Sequence, residues 1–167
     1  MYSLPAMSKL YIAADHAGFA LKHALVEHLG VLGYDIVDMG PATFDPDDDY
    51  PDFVTPLTKR VVSEPEARGI IVGGSGQGEA MCANRIKGVR AAVFYGEMKV
   101  TSALEIEGGN SEDGYDLVRL ARRHNDANVL AIGARFVSGK EAEEAVHLFL
   151  ETPFSDSPRR ARRLAKF

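Results

Sequence analysis

Short apolar segments rich in β-branched residues alternate along the chain with longer segments whose apolar residues recur at helical spacing. This alternation constrains the fold, because each helix carries the chain back to begin the next strand in the same direction. The predicted strands are residues 10–14, 34–40, 69–74, 90–95 and 128–134. The predicted helices are residues 19–33, 51–63, 79–86, 115–125, 139–152 and 157–167. The predicted fold class is α/β, with three α/β/α layers around a five-stranded parallel, Rossmann-like sheet.

Length, charge and cysteine content narrow the class of protein. The chain has 167 residues, 46% of them hydrophobic, which suits a single domain over residues 1–167. Its net charge of −5 disfavours binding to nucleic acid or to a membrane surface. Cys82 is the only cysteine, and no apolar run approaches the roughly 20 residues that span a bilayer. We therefore expect a cytoplasmic protein, in which residues 1–8 are either disordered or include an overlong start before Met7.

Two polar loops are predicted to face each other across one crevice. The first predicted strand is followed by Asp15 and His16, and the third ends in the glycine-rich segment GGSGQGE, residues 73–79. In open parallel sheets, ligands bind beyond the carboxyl ends of the strands, where the strand order reverses. Strands 1 and 3 are neighbours at that point in the common strand orders, so we expect these loops to form a binding site.

The glycine-rich segment does not match the common nucleotide-binding motifs. No Gly-Lys-Ser/Thr follows it, which excludes a P-loop. Its spacing is G-x-G-x-G and it follows the third strand, whereas the dinucleotide fingerprint is G-x-G-x-x-G after the first strand. Two interpretations remain at this point: a tight turn between strand and helix, or a nest of backbone N–H groups that binds an anion.

Glu79 at the end of this segment also has two interpretations. An acidic residue in the first turn of a helix complements the helix dipole. Alternatively, a carboxylate base beside a nest of N–H donors suits the removal of a proton next to a carbonyl group, with the donors stabilising the enediolate. The helix dipole should lower the pKa of Glu79 and burial should raise it, so the sequence leaves the direction open.

Two charged segments complete the set of candidates. The segment DPDDDYPD, residues 45–52, lacks the glycine and the final glutamate of a calcium loop, so we predict a solvated turn that caps a helix. In the C-terminal segment SPRRARRLAKF, Arg159 and Arg163 are one helical turn apart. They could form a phosphate clamp or belong to a solvated basic helix.

The segment RRHNDAN, residues 122–128, places His124 just before the fifth predicted strand. A side chain there lies at the opposite edge of the sheet from the predicted crevice. A lone histidine is often structural, but here it occurs among other polar side chains. We therefore expect it to serve the site of a neighbouring subunit.

Five motifs occur in order along the chain: AADHAGFALK, DYPDF, GGSGQGEAMCANRIKGVRAA, HNDANVLAIGAR and the terminal RRARR. Together they resemble the ribose-5-phosphate isomerase B and galactose-6-phosphate isomerase family. The resemblance runs from about Leu10 to the C-terminus and is interrupted only within residues 105–116. It implies an enzyme that interconverts phosphorylated aldoses and ketoses through a cis-enediol, without a metal or other cofactor.

The resemblance also implies a role for each motif position. Many members carry a cysteine base at the position of Gly73, whereas this sequence resembles the subgroup with a glutamate base, which matches Glu79. Ser75 would move protons between the sugar oxygens, and His124 with Asn125 would open the furanose ring. The implied substrate-binding groups are the N–H groups of Gly76, Gln77 and Gly78 as anion hole, Asp15 for the sugar hydroxyls, His16 and Tyr50 as site lining, and Arg135, Arg159 and Arg163 for the phosphate.

The resemblance leaves the substrate and the assembly open. It implies a homodimer or homotetramer whose sites are shared between subunits, and ribose 5-phosphate or a hexose 6-phosphate as substrate. A sugar-phosphate sensor is disfavoured because binding alone needs no base, and a nucleotide-dependent oxidoreductase is disfavoured by the missing fingerprint. The acidic segment Glu105–Asp116 is expected to be either a rim or subunit-contact element or a tolerated surface insertion.

Overall fold

Five parallel strands form one sheet in the part of the chain that the computed structural model describes, residues 9–104, 111 and 113–166. The strands are β1 (Leu10–Ala14), β2 (Ile36–Asp38), β3 (Arg68–Gly73), β4 (Ala91–Phe94) and β5 (Val129–Gly133). The helices are α1 (Phe19–Val31), α2 (Pro51–Ser63), α3 (Gln77–Ala83), α4 (Asp116–Asn125), α5 (Gly139–Glu151) and α6 (Pro158–Leu164). The predicted α/β class and the five-stranded parallel sheet are confirmed.

The strand order is β2-β1-β3-β5-β4. β1 and β3 are neighbours, as predicted, with Ile12 opposite Ile70. β5 lies between β3 and β4, and Ile70 is also opposite Leu130. The loops that follow β1, β3 and β5 therefore leave the sheet side by side at its carboxyl edge.

The sheet is covered by helices on both faces, which completes the three predicted layers. Alternate residues of the central strands pack into two separate cores. One core joins Ile12, Ile70 and Leu130 to side chains of α1, α4 and α5. The other joins Tyr11 and Ile71 to side chains of α2 and α3. Because both faces are covered, the central strands are continuous apolar runs, and this is why their positions are predictable from sequence.

The differences from the predicted element boundaries are small. β2 is an edge strand of only three residues. α2 continues through Pro56, where the sequence indicates a weak point. α3 begins at Gln77, which places Glu79 in its first turn. Residues 1–8, 105–110 and 112 lie outside the described residues, so the expectations for the N-terminal segment and for most of the insertion stay predictions.

The described helices are short. α1, α2 and α5 have 13 residues each. Within the described residues, none combines the length and the apolar character that crossing a membrane requires.

The packing of α1 against β3 depends on Gly18, and this gives a stability prediction. A Cβ atom at Gly18 would lie 2.0 Å from the carbonyl oxygen of Val72, so Gly18→Ala must push α1 away from the sheet. We expect a loss of roughly 1–3 kcal/mol in the free energy of unfolding, measured by urea denaturation. Gly30→Ala in the same helix is the control, because a Cβ there meets no atom within 4 Å. It should raise stability by roughly 0.5–1 kcal/mol, and equal effects of the two variants would contradict the argument.

Candidate active site

A cavity of about 390 Å³ opens at the carboxyl edge of the sheet, where the loops after β1, β3 and β5 meet. It also receives Tyr50, which precedes α2. The structure therefore brings together residues from four separate parts of the sequence. The predicted site residues that line it are Asp15, His16, Tyr50, Ser75, Gly78, Glu79 and Arg135.

Glu79 occupies the space that a side chain at position 73 would fill. A Cβ atom built on Gly73 would lie 1.7 Å from Glu79 Oε1, so the glycine allows the carboxyl group to reach back against the end of β3. Glu79 is only 4% exposed, although it lines the cavity. Burial raises the pKa of its carboxyl group, and nearby Asp15 raises that pKa further. A hydrogen bond from its own backbone N–H and the charge of Arg135 oppose this rise, so burial outweighs the opposing effects.

The glycine-rich loop reaches this position by close packing on β5. Gly76 adopts a left-handed conformation with φ of 76°, where a side chain would be strained and would press on Val93. The Ser75 hydroxyl accepts a hydrogen bond from the backbone N–H of Gln77 at 3.3 Å. Gln77 and Gly78 open α3, and N–H groups in the first turn of a helix have no intrahelical carbonyl partner. The loop thus supplies a hydroxyl group and backbone donors beside the Glu79 carboxylate.

Asp15 and His16 follow β1 at the rim of the cavity. Asp15 is 7% exposed, and its Oδ1 accepts a hydrogen bond from the backbone N–H of Gly18 at 3.1 Å. The ring of His16 donates through Nδ1 to Asp48 Oδ1 at 2.7 Å. That hydrogen bond is the largest of the effects that raise the pKa of His16.

The acidic segment of residues 45–52 departs from its prediction as a solvated turn that caps a helix. The side chain of Asp48 is only 7% exposed, because it packs against His16. The N-cap of α2 is Tyr50, and no side-chain hydrogen bond caps this helix. The prediction is therefore wrong for Asp48 and for the cap, because tertiary contact with the β1 loop decides the position of this segment.

A buried lysine holds the start of the connection between β2 and α2. Lys22 on α1 is fully buried, and its Nζ donates to both carboxylate oxygens of Asp38 at 2.7 and 2.8 Å. The same ammonium group donates to the Pro41 carbonyl at 2.9 Å. Further along the connection, Tyr50 lies over Gly78, where a Cβ would be 3.0 Å from the phenol ring. These contacts fix the connection between β2 and α2 near both of its ends.

Arg135 enters the cavity because β5 is the neighbour of β3. The backbone N–H of Arg135 donates to the Gly74 carbonyl at 3.2 Å, which joins the two loops. Its guanidinium group lies over Gly74, within 3.2 Å of where a Cβ would be. Arg135 therefore brings a positive charge to the same cavity as the carboxylates of Asp15 and Glu79.

Gly76 and Gln77 lie in the glycine-rich segment but do not line the cavity. The other four predicted residues form a second group at the opposite edge of the sheet. His124 and Asn125 end α4 just before β5 begins, and Arg159 and Arg163 are exposed on α6. The two helices are joined by Arg160, whose Nη2 donates to His124 Nε2 at 2.7 Å. Within one chain, the structure does not bring this group into the cavity that contains Glu79.

An ion-pair network orders the corner that carries His124. Asp126 has a positive φ of 44° and ends α4. Its two carboxylate oxygens bind Arg90 and Arg122, each at 2.8 Å. Arg90 also donates to the carbonyl groups of Asn125 and Asp126. The polar side chains of this segment therefore have a structural role as well as the predicted functional one.

Sequence reasoning missed several residues at the cavity. Ala17, Gly74 and Phe136 also line it, and Asp48 holds His16 from behind. Phe136 is 62% exposed and follows Arg135 just beyond β5. Its position after the carboxyl end of a predicted strand is the sequence feature that could have identified it. Asp48 had no such signal, because it lies within a run of otherwise exposed acidic residues.

The acidic residues do not assemble a metal centre where the chain is described. Over residues 9–104, 111 and 113–166, no group of three or more His, Cys, Asp or Glu side chains is arranged to hold an ion. The side chains at the cavity include two buried carboxyl groups, two hydroxyl groups and two basic groups.

Comparison with known proteins identifies the family. The Ribose/Galactose Isomerase family profile matches residues 10–111 and 113–167. The chain belongs to this family. It is 36% identical over 156 residues to ribose-5-phosphate isomerase B of Mycolicibacterium paratuberculosis, covering 93% of this chain and 87% of that protein. It is also 36% identical to the probable ribose-5-phosphate isomerase B of Mycoplasma pneumoniae, covering 94% of this chain and 91% of the other.

Solved structures of proteins named ribose-5-phosphate isomerase B share the fold. The crystal structure of ribose-5-phosphate isomerase B from Mycoplasma genitalium with bound ribulose 5-phosphate superposes with a TM-score of 0.79. The two chains are 36% identical, and the match covers 96% of this chain and 94% of the other. The enzyme from Clostridium thermocellum gives a TM-score of 0.79 at 33% identity, with 95% and 93% covered. The similarity therefore extends over nearly the whole of each chain.

The raised pKa of Glu79 predicts how its replacement changes stability with pH. The folded state holds this proton more tightly than the unfolded chain, where the pKa is about 4.3. Stability from this group is present below the unfolded pKa and is lost as pH rises through the folded pKa. Glu79→Gln removes the titration, so the variant should become more stable relative to the wild type across that pH window. Urea unfolding between about pH 4 and pH 8 measures the difference.

Glu141→Gln is the matched control with the opposite sign. The backbone N–H of Ser138 donates to the Glu141 carboxylate and lowers its pKa. Stability from Glu141 is therefore present above the unfolded pKa and lost as pH falls. The Gln variant at this position should lose stability relative to the wild type as pH rises. The same pH trend for both variants would contradict the assignment of a raised pKa to Glu79.

Proposed function

We propose that this chain interconverts ribose 5-phosphate and ribulose 5-phosphate. The observation that carries the proposal is the buried carboxyl group of Glu79, held in the space above Gly73 and beside Ser75 in a cavity large enough for a small ligand. The family supports it, since its members include proteins named ribose-5-phosphate isomerase B, one of them solved with ribulose 5-phosphate bound.

The central step is proton transfer between the two carbons of the open-chain sugar. The Glu79 carboxylate removes the proton from C2 of the aldose, and the electrons of that C–H bond form the C1–C2 double bond of an enediolate. The negative charge collects on O1, which takes a proton, while O2 loses one. Glu79 then returns its proton to C1, which gives the ketose. A base whose pKa is raised above its ordinary value by burial holds the proton more tightly between the two halves of this transfer.

The glycine-rich loop supports both the charge and the proton shuttle. The hydroxyl group of Ser75 lines the cavity and can pass a proton between O1 and O2. The N–H groups of Gly76, Gln77 and Gly78 would form the hole for the enediolate oxygen. Fixed donors aimed at a developing negative charge stabilise the transition state more than the ground state. Asp15 would hold the sugar hydroxyl groups within reach of Glu79.

The second group of residues would complete the site from another subunit. His124, with Asn125, would open the sugar ring, and Arg159 and Arg163 would bind the phosphate together with Arg135. Within one chain these residues, except Arg135, lie at the opposite edge of the sheet from Glu79. We therefore propose a homodimer, or a homotetramer built from it, in which His124 of one subunit faces Glu79 of the next. Size-exclusion chromatography with light scattering measures this assembly directly.

The expected location of the protein rests on its cysteine content. Cys82 is the single cysteine of the sequence and carries a free thiol. This suits a reducing compartment, and we propose the cytoplasm on that basis.

A panel of sugar phosphates tests the proposed reaction. Ribose 5-phosphate, allose 6-phosphate and galactose 6-phosphate are supplied separately, and each ketose product is measured. The highest kcat/KM is expected for ribose 5-phosphate. A hexose phosphate as the preferred substrate would change the substrate but keep the reaction, whereas binding of a sugar phosphate without turnover would show a sensor.

Glu79→Gln should abolish exchange of the C2 proton with solvent while sugar-phosphate binding persists. Gln keeps the size and hydrogen bonding of the side chain but cannot accept the proton. A positioned general base contributes roughly 10²–10⁴-fold, so kcat should fall at least that far. Deuterium exchange at C2, followed by NMR in heavy water, is the measurement, with Glu141→Gln as control. Turnover within about tenfold of the wild-type rate would show that Glu79 is not the base and only complements the helix dipole.

Arg159→Ala and Arg163→Ala should each raise the KM for ribose 5-phosphate strongly. A charge-assisted contact to phosphate is worth about 1.5–3 kcal/mol, which corresponds to roughly 10- to 150-fold. The effect should be smaller for free ribose. Arg162→Ala is the control, because Arg162 is also exposed on α6 but is not in the proposed clamp. Unchanged preference for phosphorylated over free sugar would show that α6 is only a solvated basic helix.

A further inference from the structure

The contact between Asp48 and His16 has a geometry that the proposed chemistry does not explain. Asp48 Oδ1 accepts two hydrogen bonds from the same residue, one from the His16 backbone N–H at 3.0 Å and one from Nδ1 at 2.7 Å. The two residues are 32 positions apart, so this contact joins the loop after β1 to the connection before α2. With Nδ1 occupied, Nε2 is the ring nitrogen left for a ligand.

The second oxygen of Asp48 makes this contact sensitive to the charge on His16. Oδ2 is buried and has no hydrogen-bond partner among the described residues. A buried carboxylate oxygen without a partner costs free energy, and a positive charge close by reduces that cost. The only side chain that hydrogen-bonds to this carboxylate within the described residues is His16. A protonated His16 therefore satisfies Asp48 better than a neutral one.

His16 also faces the reaction cavity. Its side chain is a third exposed, and it lines the cavity with Arg135. These two are the basic side chains among the described lining residues, whereas Asp15 and Glu79 are acidic. Among the described lining residues of one chain, His16 and Arg135 are therefore the side chains that can offer positive charge to an anionic ligand.

We propose that Asp48 is a positioning residue that keeps the ring of His16 charged and oriented, so that Nε2–H binds the anionic substrate in the cavity. The inference deepens the proposed function and rests on it for the identity of that substrate. Asp48 itself does not touch the substrate. It acts through His16, in the way that a carboxylate behind a histidine fixes the protonation and the orientation of the ring.

The charged groups around His16 determine how binding depends on pH. Hydrogen bonding to Asp48 is the largest influence on the pKa of His16 and raises it, and Asp15 raises it further. Partial burial and the charge of Arg135 lower it, and Glu79 faces the same cavity. The raised pKa keeps the ring charged to higher pH, so affinity for an anion should fall as pH rises through the folded pKa. The stability that this pair contributes is fully present below about pH 6.5, the unfolded pKa of histidine, and is lost as pH rises through the folded pKa of His16.

Asp48→Asn tests the proposal, because it keeps an acceptor oxygen and removes the charge. In NMR titrations of ¹⁵N-labelled protein, with His16→Gln to assign the signals, the variant should lower the pKa of His16. KM for ribose 5-phosphate at neutral pH should rise by roughly tenfold, the difference between a charge-assisted and a neutral hydrogen bond. The inflection in the pH dependence of KM should move to lower pH, while kcat stays within a few-fold of the wild-type value. Asp47→Asn on the same loop is the control, because Asp47 is exposed.

An unchanged pKa of His16 in Asp48→Asn, or an unchanged pH inflection of KM, would overturn the proposal. If this variant does not fold, the wild type decides, because the pKa of His16 must lie above the ordinary histidine value. Binding of inorganic phosphate must also weaken as His16 loses its proton. A pKa of His16 at or below the ordinary value, or phosphate binding that is insensitive to this titration, would overturn the proposal. These measurements need no turnover, so they separate failure of this inference from failure of the isomerase assignment.

Discussion

The missing side chain at position 73 is the constraint on which the candidate active site depends. Glu79 can place its carboxyl group against the end of β3 only because Gly73 leaves that space open. The same placement buries the group and raises its pKa. Position, burial and proton affinity therefore follow from one steric relation. The glycine and the acid form a single unit, and neither can be understood from its own position in the sequence.

The rest of the cavity is built around this unit by the order of the strands. Because β3 lies between β1 and β5, its loop is flanked by Asp15 and His16 on one side and by Arg135 on the other. The fourth contribution comes from the connection before α2, which Lys22 anchors through Asp38 and Pro41. Contacts outside the cavity thus hold the side chains inside the cavity in position, as a preorganised site requires.

Much of this arrangement could be predicted from sequence, and the reasons for the rest are specific. The buried strands were predictable because both faces are covered, and the crevice followed from the neighbouring β1 and β3. Asp48 was not predictable, since its burial arises from a partner 32 residues away. The direction of the Glu79 pKa depended on whether burial exceeds the dipole, which only the packed structure answers. The meeting of His124 with Glu79 requires a second subunit and stays a proposal.

The strand order also has a consequence for how the chain is made. The two central pairings, β1 with β3 and β3 with β5, each join residues about 60 positions apart. Closing such long loops is slow compared with forming local contacts. During synthesis, β3 lacks its native partner on one edge until residues up to Gly133 leave the ribosome, because β4, which is made earlier, is not a neighbour of β3 in the sheet. The nascent chain therefore carries an apolar strand with one unpaired edge while 60 of its 167 residues, 74–133, are added. An unpaired edge of this kind promotes aggregation.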